Sequence, residues 1–162
     1  MDKMVEKIPL EIFKNKKVFI TGHTGFKGSW LAFLLKNVGA DVMGYSLPPI
    51  YQENLFDKLN LKKSVNHIEG DVRDYKFLIK NLKTFKPHFV FHLAAQALVR
   101  SSYEDPKLTF ETNIMGSVNI LEAVRQIESV KSLVLITSDK CYENVEWLWG
   151  YRENDRLGGH DP

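Results

Sequence analysis

Lys17-Val18-Phe19-Ile20-Thr21-Gly22-His23-Thr24-Gly25-Phe26-Lys27-Gly28 decides the reading of this chain, because an apolar pentad runs straight into a turn with a glycine at every third position. Behind it, Trp30-Leu31-Ala32-Phe33-Leu34-Leu35 is helix-like, and Asp41-Val42-Met43-Gly44-Tyr45 follows at the distance expected of a second strand. Strand, glycine turn, helix and strand in that order make a βαβ unit. Its turn lets backbone approach a pyrophosphate, and the unpaired N–H groups at the helix start face the anion. Only glycine meets these constraints at low cost. Gly22, Thr24, Gly25, Phe26, Lys27 and Gly28 are therefore candidate dinucleotide contacts.

Strand-like and helix-like runs alternate through the rest of the chain. Val65 to Ile68, His88 to Leu93 and Ser132 to Thr137 read as strands, Tyr75 to Thr84 and Phe110 to Gln126 as helices, and Leu47 to Leu61 as an irregular, partly helical excursion. The order predicts an α/β fold, a doubly wound parallel sheet of Rossmann-like type, with its ligand crevice at the carboxyl ends of the strands. Phe110, Ile114, Val118, Leu121 and Arg125 recur at steps of three and four, which gives the long helix one apolar face. The continuous runs Phe89-Val90-Phe91 and Leu133-Val134-Leu135-Ile136 suit strands covered on both faces. Residues 1–15 read as an N-terminal extension and 16–162 as one dinucleotide-binding domain.

A chain of 162 residues, 44% of them hydrophobic, can bury one core. A net charge of +2, with acids and bases interspersed, argues against nucleic acid as a partner. The single cysteine, Cys141, excludes an internal disulfide and reads as a small buried hydrophobe. No Cys/His spacing resembles a zinc site, so no metal is expected. The start, Met1 to Lys7, carries acids and lacks an apolar signal core, and no run approaches a membrane span. A cytoplasmic protein with no membrane partner is the expectation.

Further candidates stand at the strand ends. Ser46 closes the second strand, where an acid or an arginine would ordinarily read the adenosine ribose. Gly70-Asp71-Val72-Arg73-Asp74 follows the third; Asp71 is suited to accept from an adenine amino group, and Asp74 to cap the next helix. In His92-Leu93-Ala94-Ala95-Gln96, after the fourth, small side chains either let backbone pass close to a ribose or simply pack. Gln96 and Arg100 are candidate substrate contacts, arginine being a natural pyrophosphate partner. Thr137-Ser138-Asp139-Lys140 ends the fifth strand with a hydroxyl, a carboxylate and an amine, suited to proton chemistry, although a solvated turn has the same composition. Trp147, Trp149 and Tyr151 either roof the pocket or pack a loop onto the domain, and His23 either donates to phosphate or faces solvent.

Thr21-Gly22-x-x-Gly25-x-x-Gly28, Gly70-Asp71-Val72, His92-Leu93-Ala94-Ala95-Gln96, Thr112-Asn113-x-x-Gly116 and Ile136-Thr137-Ser138-Asp139-Lys140 together resemble the extended short-chain dehydrogenase/reductase superfamily. Within it, Thr137 to Asn144 followed by Glu146-Trp147-x-Trp149-Gly150-Tyr151-Arg152-Glu153-Asn154 is similar to the CDP-glucose 4,6-dehydratases. The resemblance implies an NAD-dependent lyase acting on a sugar nucleotide, CDP-glucose. Hydride leaves C4 of the hexose, water is lost across C5 and C6, and hydride returns to C6. It adds Asn113 to the cofactor contacts and assigns catalytic roles to three residues. Ser138 bonds the C4 oxygen, Asp139 protonates the departing C6 hydroxyl, and Lys140, where dTDP-glucose enzymes carry glutamate, assists at C5.

The chain departs from that pattern in two places. Ser46 replaces the expected acid, so NAD over NADP rests on the resemblance, and NADP is not excluded. The Tyr-x-x-x-Lys base of the superfamily is expected soon after Pro162, and Tyr103 to Lys107 matches its spacing only by coincidence, in a loop containing Pro106. The chain alone is therefore expected to bind cofactor with negligible turnover. The full-length form is expected to be a homo-oligomer, and the helix from Phe110 to Gln126 to present bare apolar surface. The alternatives are another sugar-nucleotide epimerase or dehydratase of the superfamily, and a non-catalytic dinucleotide module.

Overall fold

A computed structural model describes residues 10–138 and 141–159. Five strands, β1 (Lys17–Thr21), β2 (Asp41–Ser46), β3 (Asn66–Glu69), β4 (Phe89–His92) and β5 (Ser132–Leu135), form one sheet in the order β3-β2-β1-β4-β5. Every pairing is parallel, with Val18 beside Val42 and Phe89, Gly44 beside His67, and Val90 beside Leu133. Strand order reverses at β1, and that reversal opens a crevice between the carboxyl ends of β1 and β4.

Helices cover both faces. α1 (Phe26–Val38) follows β1 directly, and α2 (Leu55–Lys58) and α3 (Leu61–Ser64) occupy the excursion after β2. α4 (Tyr75–Phe85) is capped by Asp74, whose carboxylate accepts from the Phe77 amide at 3.0 Å, as the sequence led us to expect. α5 (Val99–Glu104) and α6 (Pro106–Phe110) lead into a π-helical stretch, Glu111–Met115, and then α7 (Gly116–Arg125). One core packs Phe19, Tyr45, Leu78, Leu82 and Ile120 on one side of the sheet; the other packs Ile20, Ala32, Leu35, Val42 and Phe56.

Two expectations change here. The long helix starts at Pro106, earlier than expected, and its π-helical turn offsets the faces before and after it. The buried face of α7 is Gly116, Ile120 and Ala123, whereas Phe110, Ile114, Val118 and Leu121 are about half exposed. β5 is an edge strand, paired on one side only within the described residues, and leaves Val134 and Ile136 partly open rather than covered on both faces.

Candidate functional site

At the carboxyl ends of the strands lies a cleft of about 450 Å³. Its floor is the glycine turn. Gly22 has φ +72°, and a Cβ there would lie 2.6 Å from the Ala94 nitrogen, so no other residue fits without displacing backbone. A Cβ on Gly28 would approach the Gly22 carbonyl carbon and His23 Cα to 2.8 Å, so the first turn of α1 sits directly on the strand end. Gly25 caps α1 with no side-chain hydrogen bond, and no acid stands in the first turn. The free N–H groups of this turn therefore present partial positive charge to the cleft, which is the cradle a pyrophosphate requires.

The two strand ends beside the turn are tied together. The Leu93 and Ala94 amides both donate to Thr21 Oγ1, each at 3.2 Å. Having accepted twice, the Thr21 hydroxyl donates to His92 Nδ1 at 2.7 Å, which leaves the neutral ring proton on Nε2, facing Ser117 Oγ at 3.4 Å. Burial holds His92 down to about 4, so the ring stays neutral.

The cleft is lined by Gly22, Thr24, Gly25, Phe26, Ser46, Asp71, Val72, Leu93, Ala94 and Ala95, all named from the sequence. Lys27, Gly28 and Asn113 do not line it. Lys27 is exposed, and Gly28 is packed beneath the turn. Asn113 clasps Gln96, accepting from its amide at 2.8 Å and donating to its carbonyl at 3.0 Å. Gln96 spends its side chain on Thr109 and Leu98, and Arg100 is exposed and paired with Glu104; neither lines the cleft. Asp71 faces the cleft while its carboxylate accepts from Arg73 Nε and Nη2. These bonds hold it below the ordinary carboxylate range, against the opposing effect of burial.

The opposite wall, Leu47, Pro48, Pro49, Ile50, Tyr51, Asn54 and Leu55, was not among the candidates. The Pro-Pro pair one residue past β2 was the available signal, because it favours extended backbone there. Ser138 follows the end of β5, and Asp139 and Lys140 lie outside the described residues. Cys141 is exposed rather than buried. Tyr151 stacks on Tyr142 at 5.5 Å and contacts Trp147, while neither tryptophan lines the cleft. His23 does neither thing expected of it: its ring is fully buried and bonds His67. Among the described residues, no three His, Cys, Asp or Glu side chains gather as a metal would need, and no helix is long and apolar enough to cross a membrane.

The sequence pattern of the GDP-mannose 4,6 dehydratase family matches residues 19–162. The chain belongs to this family. CDP-glucose 4,6-dehydratase of Salmonella typhimurium is 50% identical over 98% of this chain and 44% of its own length. CDP-paratose 2-epimerase of Salmonella typhi is 32% identical over 90% of this chain and 48% of its own. The chain thus spans less than half the length of these curated relatives. Among solved structures, UDP-glucose 4-epimerase of Thermus thermophilus in complex with NAD superposes with a TM-score of 0.76 at 31% identity, over 90% of this chain and 45% of that one. The family fold is thus a Rossmann fold, and the glycine cradle fits a dinucleotide.

Proposed function

We propose that this chain is the dinucleotide-binding part of an NAD-dependent CDP-glucose 4,6-dehydratase. The observation that carries the reading is the start of α1 over Gly22, bonded by no capping side chain, at the crevice where strand order reverses. The relative of 50% identity supports the choice of substrate. When bound, NAD would supply the hydride acceptor and donor. The chain's own residues have separable tasks. The turn from Gly22 to Gly25 holds the pyrophosphate, Asp71 accepts from the adenine amino group, and Leu93 to Ala95 run along a ribose. Ser138 bonds the C4 oxygen, Asp139 protonates the C6 hydroxyl as it leaves, and Lys140 assists at C5. The same reading sets the reaction in the cytoplasm, in nucleotide-sugar metabolism leading to deoxysugars, with the full-length protein a homo-oligomer.

Calorimetry with NAD, with Gly25→Asp as control, tests the cofactor half. Saturable binding is expected, and a carboxylate set against the pyrophosphate should weaken it at least about a hundredfold. No binding by the unsubstituted chain overturns the reading. Calorimetry of the NAD-loaded chain with CDP-glucose against UDP-glucose tests the sugar nucleotide; equal affinity for the two removes the support for CDP-glucose.

A further inference from the structure

His23 stands in the middle of the glycine turn, yet its ring is fully buried and forms no part of the cleft lining. Gly44 makes the room. A Cβ on Gly44 would fall on the His23 ring, 2.6 Å from its Nδ1, so the ring lies flat across β2 where that strand has no side chain. His67 is the Cα partner of Gly44 on the neighbouring strand β3. Across this gap His23 Nε2 and His67 Nδ1 stand 2.7 Å apart. Phe56 of α2 closes the cluster, edge-on to His23 at 5.3 Å and 5.1 Å from His67. Ser29 of α1 donates to the His23 carbonyl at 2.9 Å. The turn is therefore pinned to β2, β3, α1 and α2 through one residue.

The nitrogen separation distinguishes a bond from mere packing. A gap of 2.7 Å between ring nitrogens holds a single hydrogen, so one ring donates while the other accepts. Burial first, and then His67, hold His23 down to about 3, with the Tyr45 backbone opposing. Burial and then Lys62 lower His67, with Glu69 opposing. The pair is neutral at pH 7. If the bond is lost, the buried His23 Nε2 is left without its partner.

We propose that His67 is a positioning residue for dinucleotide binding, an inference that rests on the cofactor reading above: through its bond to His23 it fixes the glycine turn on the sheet in the shape that receives the pyrophosphate. His67 touches no cofactor itself.

Two substitutions separate bonding from packing. His67→Asn keeps a polar atom close to the position of Nδ1 but gives up the ring; His67→Phe keeps a ring and offers no partner. The readouts are NAD affinity by calorimetry and, in the ligand-free chain, hydrogen-exchange protection of the Gly25 amide, which donates to the Gly22 carbonyl, and of the Ser29 amide, which donates to the Gly25 carbonyl. His67→Phe is expected to weaken NAD about tenfold and to lower protection by a similar factor, while His67→Asn stays within about threefold of the unsubstituted chain in both. Equal behaviour of all three chains overturns the proposal. So does a loss in His67→Asn with retention in His67→Phe, or an equal loss in both. If the protection pattern appears but the unsubstituted chain binds no NAD, the cofactor reading fails, and the positioning role fails with it.

Discussion

A Cβ on Gly22 would lie 2.6 Å from the backbone nitrogen of Ala94, so the ends of β1 and β4 meet backbone to backbone at the mouth of the cleft. The same residue holds φ at +72°, a region that side-chain-bearing residues adopt at a cost of ~1–2 kcal/mol. Gly22→Ala combines that strain with overpacking against a neighbour that cannot rotate away. It should destabilise the chain by about 3 kcal/mol and abolish NAD binding. Denaturant midpoints and calorimetry check both. A loss below about 1 kcal/mol would mean that the two strand ends are looser than drawn.

Gly44 and His23 form a second obligatory pair, of side chain against backbone. A methyl group on Gly44 occupies the place of the His23 ring, so Gly44→Ala should cost about 1–3 kcal/mol. Removing the ring relieves the clash. The double variant Gly44→Ala, His23→Ala should therefore be more stable than the sum of the single losses, by about 1 kcal/mol or more, in a double-mutant cycle. Strict additivity would place the ring elsewhere.

How much of this was legible in the sequence differs from residue to residue. β1 and β2 were legible to the residue because glycines and polar residues punctuate short apolar runs. The near wall of the cleft was legible too, since the strand ends that build it carry glycine, alanine and acid signatures. The His23 cluster was not. Its three parts, His23, Gly44 and His67, lie on the turn and two separate strands, and only the parallel register brings them together. The helix face around Phe110 was legible as a bare apolar surface, but its offset from the buried face of Gly116, Ile120 and Ala123 was not. A π-helical turn at Glu111–Met115 breaks the 3.6-residue period on which the spacing argument depends. Asp139 and Lys140, named from the sequence, fall outside the described residues.

Two buried neutral histidines make folding stability depend on pH. His92 is held at about 4 and His23 at about 3, against 6.5 for each in an open chain. Below pH 6.5 the unfolded chain takes up protons that the folded chain does not. The stability is therefore fully present above that value and declines as pH falls toward the folded values. The slope is about 1.4 kcal/mol per pH unit for each histidine. Urea midpoints at pH 7, 6 and 5 should fall steadily. His92→Asn, which keeps an acceptor for the Thr21 hydroxyl and cannot titrate, should roughly halve the slope; midpoints unchanged between pH 7 and 5 would contradict the neutral burial of both rings.

In the cofactor reading proposed above, Ser46 stands beside the adenosine ribose. Its hydroxyl lies 2.8 Å from Thr24 Oγ1, and Thr24 donates its own hydrogen to the Leu47 carbonyl at 2.8 Å. Ser46 must therefore supply the hydrogen between the two hydroxyls, and toward a ribose it can only accept. A neutral acceptor welcomes a 2′-hydroxyl but lacks the charge with which an acid at this position repels a 2′-phosphate. Glu53, also on the cleft wall, is paired with Lys58 at 3.2 Å and adds little repulsion. NAD and NADP should accordingly bind within about tenfold of each other. Ser46→Asp should weaken NADP by about fivefold or more relative to NAD, because two like charges within a few ångströms repel by about 1 kcal/mol even in water-like surroundings. Competition calorimetry with both dinucleotides decides the matter. A preference for NAD above a hundredfold in the unsubstituted chain would assign discrimination to another residue of the cleft.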